Sequence, residues 1–211
     1  NEMSGELILG AVPTTLTGLV PLALSQLEKI HPDIRVRISP SLTTQLLLQI
    51  DRGQIDAAII SKPDVLPQSI VFTELATERM VILVANTTKN LTPKDLLKSH
   101  PFIRFNRDAV VGRLIETWLQ KNGIFVKDAM ELEGLEAISS MVAAGLGISI
   151  VPQRCIAETD HLPLKMIQLG DNGPQRVLGL ARRADTPKTK LILGTEAALL
   201  KAVSIGQFRP K

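Results

Sequence analysis

The sequence predicts an α/β protein of two Rossmann-like lobes joined by two crossing strands. A β-α-β-α-β pattern fills residues 7–60, and a second pattern of the same order fills residues 102–151. Only two other apolar segments, Met80–Ala85 and Val177–Ala181, are suited to pass as strands between the two patterns. Because one parallel unit cannot cover both faces of its sheet alone, each pattern predicts a lobe of its own.

Apolar spacing assigns the elements of the first pattern. Continuous apolar runs indicate buried strands, alternation of Ile34, Val36 and Ile38 with arginines indicates a half-buried strand, and apolar residues three and four apart indicate helices. The predicted elements are, in order, a strand at 7–12, a helix at about 17–30, a strand at 34–38, a helix at 43–51 and a strand at 56–60.

The second pattern ends in Leu135–Pro152, which reads as a helix, a glycine turn and a short buried strand. Gly145 falls where a helix would end in a left-handed residue, and Gly147 makes a second break. The two glycines predict a wall of bare backbone that another molecule can approach, although helix–sheet packing alone explains them equally well. The preceding elements are a strand at 102–105, a helix at about 108–122 and a strand at 129–133.

Proline and capping signals assign the remaining segments. Residues 64–77 read as irregular and residues 153–175 as loop-rich. Thr92 and Thr186 each precede a proline, which predicts an N-cap followed by proline at the first helical position. A short helix would follow Thr92, and a C-terminal helix that packs on the first lobe would follow Thr186. The predicted lobes are residues 1–84 with 183–211, and residues 85–182.

Two connecting strands make a hinge, and hinged lobes close around a ligand held between them. In parallel sheets, the loops at the carboxyl ends of the strands face that ligand. This rule selects hydroxyl groups, backbone amides and two countercharges: Thr14, Thr15, Ser41, Thr43, Thr44, Ser61, Lys62, Asn106, Arg107, Gly145 and Gly147. Hydroxyl-rich helix starts suit a carboxylate or another small anion. Capping threonines and solvated cations are the plainer interpretation of the same residues.

Composition and motifs argue against several function classes. The sequence has no run of about 18 apolar residues, so no membrane span is indicated, and aromatic residues at 3% argue against a base-stacking surface. Cys155 is the only cysteine, so it forms no internal disulfide, and it is expected to be inert. His31, His100 and His161 stand near prolines and far apart, so no metal site is predicted. Nucleophile-elbow, P-loop and dinucleotide motifs do not occur, so we expect no catalytic residues and no cofactor.

Four motifs together resemble the effector-binding domain of LysR-type transcriptional regulators. They are Gly5–Gly10 (GELILG), Leu27–Pro32 (LEKIHP), Gly53–Ile59 (GQIDAAI) and Met141–Pro152 (MVAAGLGISIVP). The third and fourth motifs in combination are specific, and the resemblance covers essentially all of the chain after Gly5. It implies a type 2 periplasmic-binding-protein fold, a cytoplasmic location and a small-molecule effector held between the lobes.

The resemblance also implies partners and ligand contacts. DNA would be bound only through an N-terminal helix-turn-helix domain that this chain lacks, and no membrane is involved. The domain would form homodimers, and homotetramers in the full-length protein, in which Ile34–Ile38 and helix 17–30 meet helix 108–122 of a partner. By motif, the effector contacts fall on Thr14, Thr15, Ser41 to Thr44, Asn106, Arg107, Gly147 and Ile148. The chain departs from the family at Ser41, often glycine, and at Leu42, often polar.

Three functions compete at this point. A ligand-sensing regulatory domain is favoured, and a solute-binding protein of a transporter on the same fold is the alternative. An enzyme would need an acid–base pair beside the ligand. Glu133, at the end of a predicted strand, and Lys62 are the residues to test for that role, whereas Arg104 lies within a strand and is expected to point outward.

Overall fold

The computed structural model describes residues 3–156 and 162–206. The chain divides into two compact units. The first unit comprises Asn1–Thr77, Arg154–Thr159 and Val177–Lys211, and the second comprises Glu78–Gln153 and Asp160–Arg176. The α/β fold class predicted from the sequence is confirmed.

Both β-α-β-α-β patterns are present. The first contains β1 (Gly5–Ala11), α1 (Leu19–Ile30), β2 (Ile34–Pro40), α2 (Thr43–Asp51) and β3 (Ala57–Ser61). A long strand, β4 (Ile70–Ala85), and the short helix α3 (Pro93–Ser99) follow. The second pattern contains β5 (Pro101–Phe105), α4 (Val110–Lys121), β6 (Lys127–Leu132), α5 (Leu135–Ala143) and β7 (Ser149–Pro152). The chain continues through β8 (Leu164–Gln168), β9 (Gln175–Arg183) and α6 (Thr189–Ile205).

The sheet of the first unit is built on three parallel strands. β1 lies between β2 and β3 and is parallel to both, and β9 pairs with β3 in the antiparallel direction. All five residues of β3 are buried, as expected for a strand covered on both faces. Leu46 and Ile50, one turn apart on α2, are 0% and 1% exposed and pack into the same core. The three parallel strands therefore have their carboxyl ends at one edge of this sheet.

The C-terminal helix α6 belongs to the first unit. α6 packs against α1. Ala198 on α6 forms a small buried cluster with Leu27 on α1 and Ile34 on β2.

The second unit has a mixed arrangement of strands. β5 and β6 are parallel, and a parallel bridge links Phe102 of β5 to Ile148 beside β7. β7 and β8 each pair in the antiparallel direction with the second half of β4. The hydrogen-bonded order of the larger sheet is β2-β1-β3-β9-β4-β7, with β8 also paired to β4.

The glycine turn after α5 has two different physical causes. Gly145 has φ +77°, and the amides of Gly145 and Leu146 donate to the carbonyls of Val142 and Met141, which is a Schellman ending of the helix. At Gly147, a Cβ would lie 2.5 Å from the Pro101 carbonyl oxygen. The expected wall open to another molecule is wrong at Gly147, because that face of the glycine is covered by β5.

The sequence-based assignment missed the first half of β4 and the whole of β8. Residues 64–77 were expected to be irregular, but β4 begins at Ile70 and contains 16 residues. Residues 153–175 were expected to be loop, but β8 occupies Leu164–Gln168. Both strands contain charged and polar residues, so their local sequence does not resemble a buried strand. They are strands because they pair with neighbouring strands of the sheet.

One of the two predicted helix starts is correct. The Thr92 hydroxyl oxygen accepts a hydrogen bond from the Asp95 amide at 3.2 Å, and Pro93 opens α3. Thr186 does not cap α6, because the helix begins at Thr189. The Thr186 hydroxyl instead accepts from the Lys188 amide at 3.3 Å, within the preceding turn.

We expect Gly147→Ala to destabilise the domain more than Gly145→Ala. The Gly147 substitution forces a Cβ against backbone and is expected to lower the free energy of unfolding by about 2–3 kcal/mol. The Gly145 substitution meets open space and costs only the left-handed conformation, about 1 kcal/mol. Urea unfolding of both variants measures the difference, and an equal loss in the two would contradict the packing argument.

Candidate functional site

Four predicted site residues lie together at the carboxyl edge of the sheet of the first unit, at the ends of β2 and β3 and at the start of α2. Thr43, the first residue of α2, donates its hydroxyl hydrogen to the carbonyl oxygen of Ser61 at 3.2 Å. Thr43 and Ser61 are both 2% exposed. The Ser41 amide donates to the carbonyl of Ala11 at 3.2 Å, which joins the end of β2 to the end of β1. Thr44 lies next to Thr43 and is exposed.

Thr14 and Thr15 lie in a short 3-10 helix, Pro13–Thr15, immediately after β1. They are 4% and 2% exposed. The Thr15 hydroxyl donates to the carbonyl of Val12 at 2.7 Å. The interpretation of these threonines as caps of the next helix is wrong, because α1 starts at Leu19 and Gly18 is its N-cap residue.

The start of α2 is not capped by a side chain of the described residues. Its N-cap residue is Leu42, which has no side-chain hydrogen-bond acceptor. The Ser41 and Thr43 side chains flank the first turn, but no side-chain cap forms there. The first-turn amides are hydrogen-bond donors at the positive end of the helix dipole, an arrangement that attracts negative charge.

The carboxyl edge of β5 and β6 in the second unit is a closed polar network. Asn106 is 9% exposed, and its Nδ2 donates to Glu133 Oε1 at 2.9 Å. Its Oδ1 accepts from the Asp108 amide at 2.9 Å, and its amide donates to Leu132 O at 3.0 Å. Asn106 therefore stabilises the turn before α4, and the Glu133 carboxylate accepts one of its hydrogen bonds.

Arg107 forms a two-pronged ion pair with Glu131. Its Nε donates to Oε1 at 3.2 Å and its Nη2 to Oε2 at 3.0 Å, and the Arg107 amide donates to Oε1 at 2.9 Å. These hydrogen bonds hold the pKa of the Glu131 carboxyl below its ordinary value and raise the pKa of the Arg107 guanidinium. The predicted countercharge is thus already neutralised. Lys62 is likewise engaged, by Glu74 at 3.2 Å.

Gly147 and Ile148 lie at the opposite end of β5 from Asn106. The Ile148 amide donates to Pro101 O at 2.9 Å, and Pro101 is the first residue of β5. Five residues of strand, about 13 Å from first to last, separate Pro101 from Phe105 and the following Asn106. Ile148 is 2% exposed. The carboxyl-end rule does not select Gly145, Gly147 or Ile148, because these residues precede a strand instead of following one.

Arg104 is the polar residue that the sequence-based reading misplaced. It was expected to point outward, but it is 6% exposed and forms ion pairs with Glu116 on α4 and with Asp128 on β6, at 2.9 Å for Asp128. Its guanidinium carbon lies 5.6 Å from the centre of the Phe102 ring. Arg104 therefore links α4 to the sheet. Its burial could not be predicted from the local sequence, because its partners Glu116 and Asp128 lie in other elements.

Among the residues that the structure describes, the remaining candidates form no metal site and no disulfide. His31 and His100 end α1 and α3, and His161 lies outside the described residues. In residues 3–156 and 162–206, no group of three His, Cys, Asp or Glu side chains could hold a metal ion. Cys155 is half-buried and not in a disulfide. Of the helices described, none has the length and apolar character needed to cross a membrane.

Comparison with known proteins defines the class. The solved structures that match include an effector-binding domain and several regulatory domains. The effector-binding domain of QuiR, in complex with shikimate, superposes with a TM-score of 0.82 at 21% identity, over 98% of this chain and 100% of that one. The reduced OxyR regulatory domain from Pseudomonas aeruginosa gives 0.81 at 22% identity, over 100% of both chains. At these identities the likeness shows the fold, which is of the periplasmic-binding-protein-like type.

The sequence match is more specific. The family model described as LysR substrate binding domain matches residues 1–202, so the chain belongs to that family. The HTH-type transcriptional regulator CzcR of Bacillus anthracis is 31% identical over 153 residues, 72% of this chain and 51% of the relative. A probable RuBisCO transcriptional regulator of Cyanophora paradoxa is 27% identical over 168 residues, 75% of this chain and 52% of the relative. The chain spans about half the length of the curated relatives that it matches.

We expect Glu131 to titrate below its ordinary pKa of 4.5 in the folded domain, because Arg107 donates hydrogen bonds to its carboxylate. A lowered folded-state pKa means that the pair stabilises the domain above the unfolded-state pKa and loses this contribution as the pH falls through the folded-state value. Carboxyl NMR titration of the wild type and of Arg107→Gln measures the shift. An unchanged Glu131 midpoint in the variant would contradict the assignment.

Proposed function

We propose that this chain is the ligand-sensing regulatory domain of a LysR-type transcription factor, and that it binds a small anionic effector. The observation that carries the proposal is the carboxyl edge of β1, β2 and β3. Buried Thr43 and Ser61 are joined there at the start of a helix whose first turn is not capped by any side chain in the described part of the chain. QuiR, of the same fold, was solved with shikimate, which supports a small-molecule effector.

The proposed effector contacts include this edge and the turn that follows β5. In the first unit they are Thr14, Thr15, Ser41, Thr43, Thr44 and Ser61, and in the second unit Asn106 and Arg107. The Thr15 and Thr43 hydroxyls donate to backbone carbonyls, so the amides of the first turn of α2 are the donors suited to an anion. The place of Gly147 and Ile148 in the proposal rests on the family motif alone.

Sensing would work by differential affinity. A ligand shifts an equilibrium between two conformations only as far as it binds one of them better. DNA binding would belong to a helix-turn-helix part of the longer protein, in keeping with the names of the relatives. The proteins named above are regulators, so they give no support to a transporter function. Glu133 and Lys62 are held by Asn106 and Glu74, and neither contact favours an enzyme.

The proposal predicts stabilisation by small carboxylates. At a ligand concentration 100 times its Kd, the melting temperature is expected to rise by about 5–10 °C. Thr43→Val and Thr14→Ala are expected to reduce that rise, whereas Thr87→Val, at an exposed turn after β4, is the matched control and retains it. Thermal-shift screening of carboxylates against neutral sugars measures the effect. Stabilisation by sugars and not by carboxylates would reject an anionic effector.

We further propose a homodimer in which β2 and α1 of one copy meet α4 of the other. β2 exposes Arg35 and Arg37 beside a free edge, since in the described part of the chain it pairs with β1 alone. Beyond α4, Phe125 is 88% exposed. Arg37 pairs with Glu6 of the same copy, so Arg35 and the exposed Phe125 ring are the groups that suit an interface in which each copy contributes both faces.

Sedimentation tests the homodimer. The wild type is expected to sediment as a dimer, and Phe125→Ser is expected to weaken the dimer by about tenfold or more, because aromatic side chains anchor interfaces. Val65→Ser removes a side chain that is 79% exposed on the loop before β4 and should leave the dimer unchanged. A wild type that remains monomeric at high concentration would count against the arrangement.

A further inference from the structure

A buried ion pair joins the two long strands β4 and β9. Glu78 on β4 is 3% exposed, and Arg176 on β9 is 2% exposed. Arg176 Nε donates to Glu78 Oε1 at 2.7 Å, and its Nη2 lies 2.6 Å from the same oxygen. The boundary between the two units falls between Thr77 and Glu78 on one strand, and between Arg176 and Val177 on the other. The pair thus occupies the point where both strands pass from unit to unit.

Stability is a poor explanation for this pair. Removing two charges from water costs free energy that their attraction often fails to return, so well-packed apolar side chains of similar volume are usually at least as stable. The flanking residues Thr77, Arg79 and Gln175 are exposed, whereas the two charged residues of the pair are buried. The best-attested role of a buried ionic group is to select one pairing register among several possible ones.

The register of β4 and β9 gives the pair such a role. The Met80 amide donates to Pro174 O at 2.9 Å and the Ala184 amide donates to Ser69 O at 2.9 Å, so the strands run in opposite directions and Glu78 faces Arg176. A slip of two residues along β9 would place the Glu78 carboxylate against Pro174 or Leu178, neither of which can donate from its side chain.

A steric device fixes the same strands within the first unit. A Cβ at Gly179 would lie 2.2 Å from Phe72 Cζ and 2.6 Å from the Thr73 carbonyl oxygen. Glycine at this position lets the Phe72 ring and the Thr73 backbone lie against β9. The steric contact and the ion pair lie on the two sides of the unit boundary.

We propose that Glu78 and Arg176 are positioning residues that hold β4 and β9 in a single register where the chain passes between the units. The proposal does not depend on the effector or on dimer formation. Its failure would leave the effector proposal intact, and the reverse also holds.

Hydrogen exchange by mass spectrometry tests the proposal, with thermal unfolding measured alongside. The apolar double variant Glu78→Leu/Arg176→Met is expected to melt at or above the wild-type temperature. Its peptides covering residues 75–83 and 174–180 are expected to exchange about tenfold faster or more, because alternative registers open the strands. The charge-reversed double variant Glu78→Arg/Arg176→Glu restores the pair and should recover most of the protection. Arg79→Gln alters an exposed neighbour and is the matched control.

The outcomes separate register from stability. Wild-type protection in the apolar double variant would overturn the proposal, since the register would then be kept without the pair. An apolar double variant that melts far below the wild type, or fails to fold, would also overturn it, because the pair would be needed for stability. Fast exchange in a folded charge-reversed variant would reject the pairing itself. If that variant does not fold, Arg176→Lys keeps a cation opposite Glu78 and should remain protected, whereas Arg176→Met alone should not.

Discussion

The parallel register of β1, β2 and β3 is the constraint on which the candidate site depends. The Val12 amide donates to Ile59 O at 3.0 Å and the Ser41 amide to Ala11 O at 3.2 Å, so three loops leave the sheet at one edge. β3 is buried throughout, and a Cβ at Gly10 would lie 2.6 Å from Leu46 Cδ2, which sets α2 closely against β1. A one-residue slip of β1 would exchange its two faces, so that a side chain in place of Gly10 would meet Leu46 of α2. The position of Thr43 beside Ser61 is therefore a consequence of core packing.

Electrostatics narrows what this edge can bind. Lys62 and Arg107 are paired with Glu74 and Glu131, and Arg104 is buried between Glu116 and Asp128. An anion that needed one of these cations would first have to displace a carboxylate. The amides at the start of α2 carry no such competitor among the described side chains, and their partial charge favours a compact anion over a large one. The dipole, and not a side-chain charge, is the proposed source of selectivity.

Local patterns predict the elements whose causes are local. α2 has the predicted bounds, because Leu46 and Ile50 stand at helical spacing and the chain turns at Gly53, where φ is +67°. β7 and the glycine turn before it follow in the same way. The first half of β4 was missed because its strand character comes from pairing with β9, and because buried Glu78 pairs with Arg176, which is distant in sequence. The site residues after parallel strands were found by topology, whereas Gly147 was misplaced because it precedes its strand.

Amide chemical shifts recorded on addition of a stabilising carboxylate test the central claim most directly. The account predicts that the largest changes fall on the amides of Thr43, Thr44 and Gln45 in the first turn of α2, and that they saturate with the same Kd as the thermal stabilisation. Changes confined to other surfaces, such as the outer face of α6, with the first turn of α2 unmoved, would contradict it.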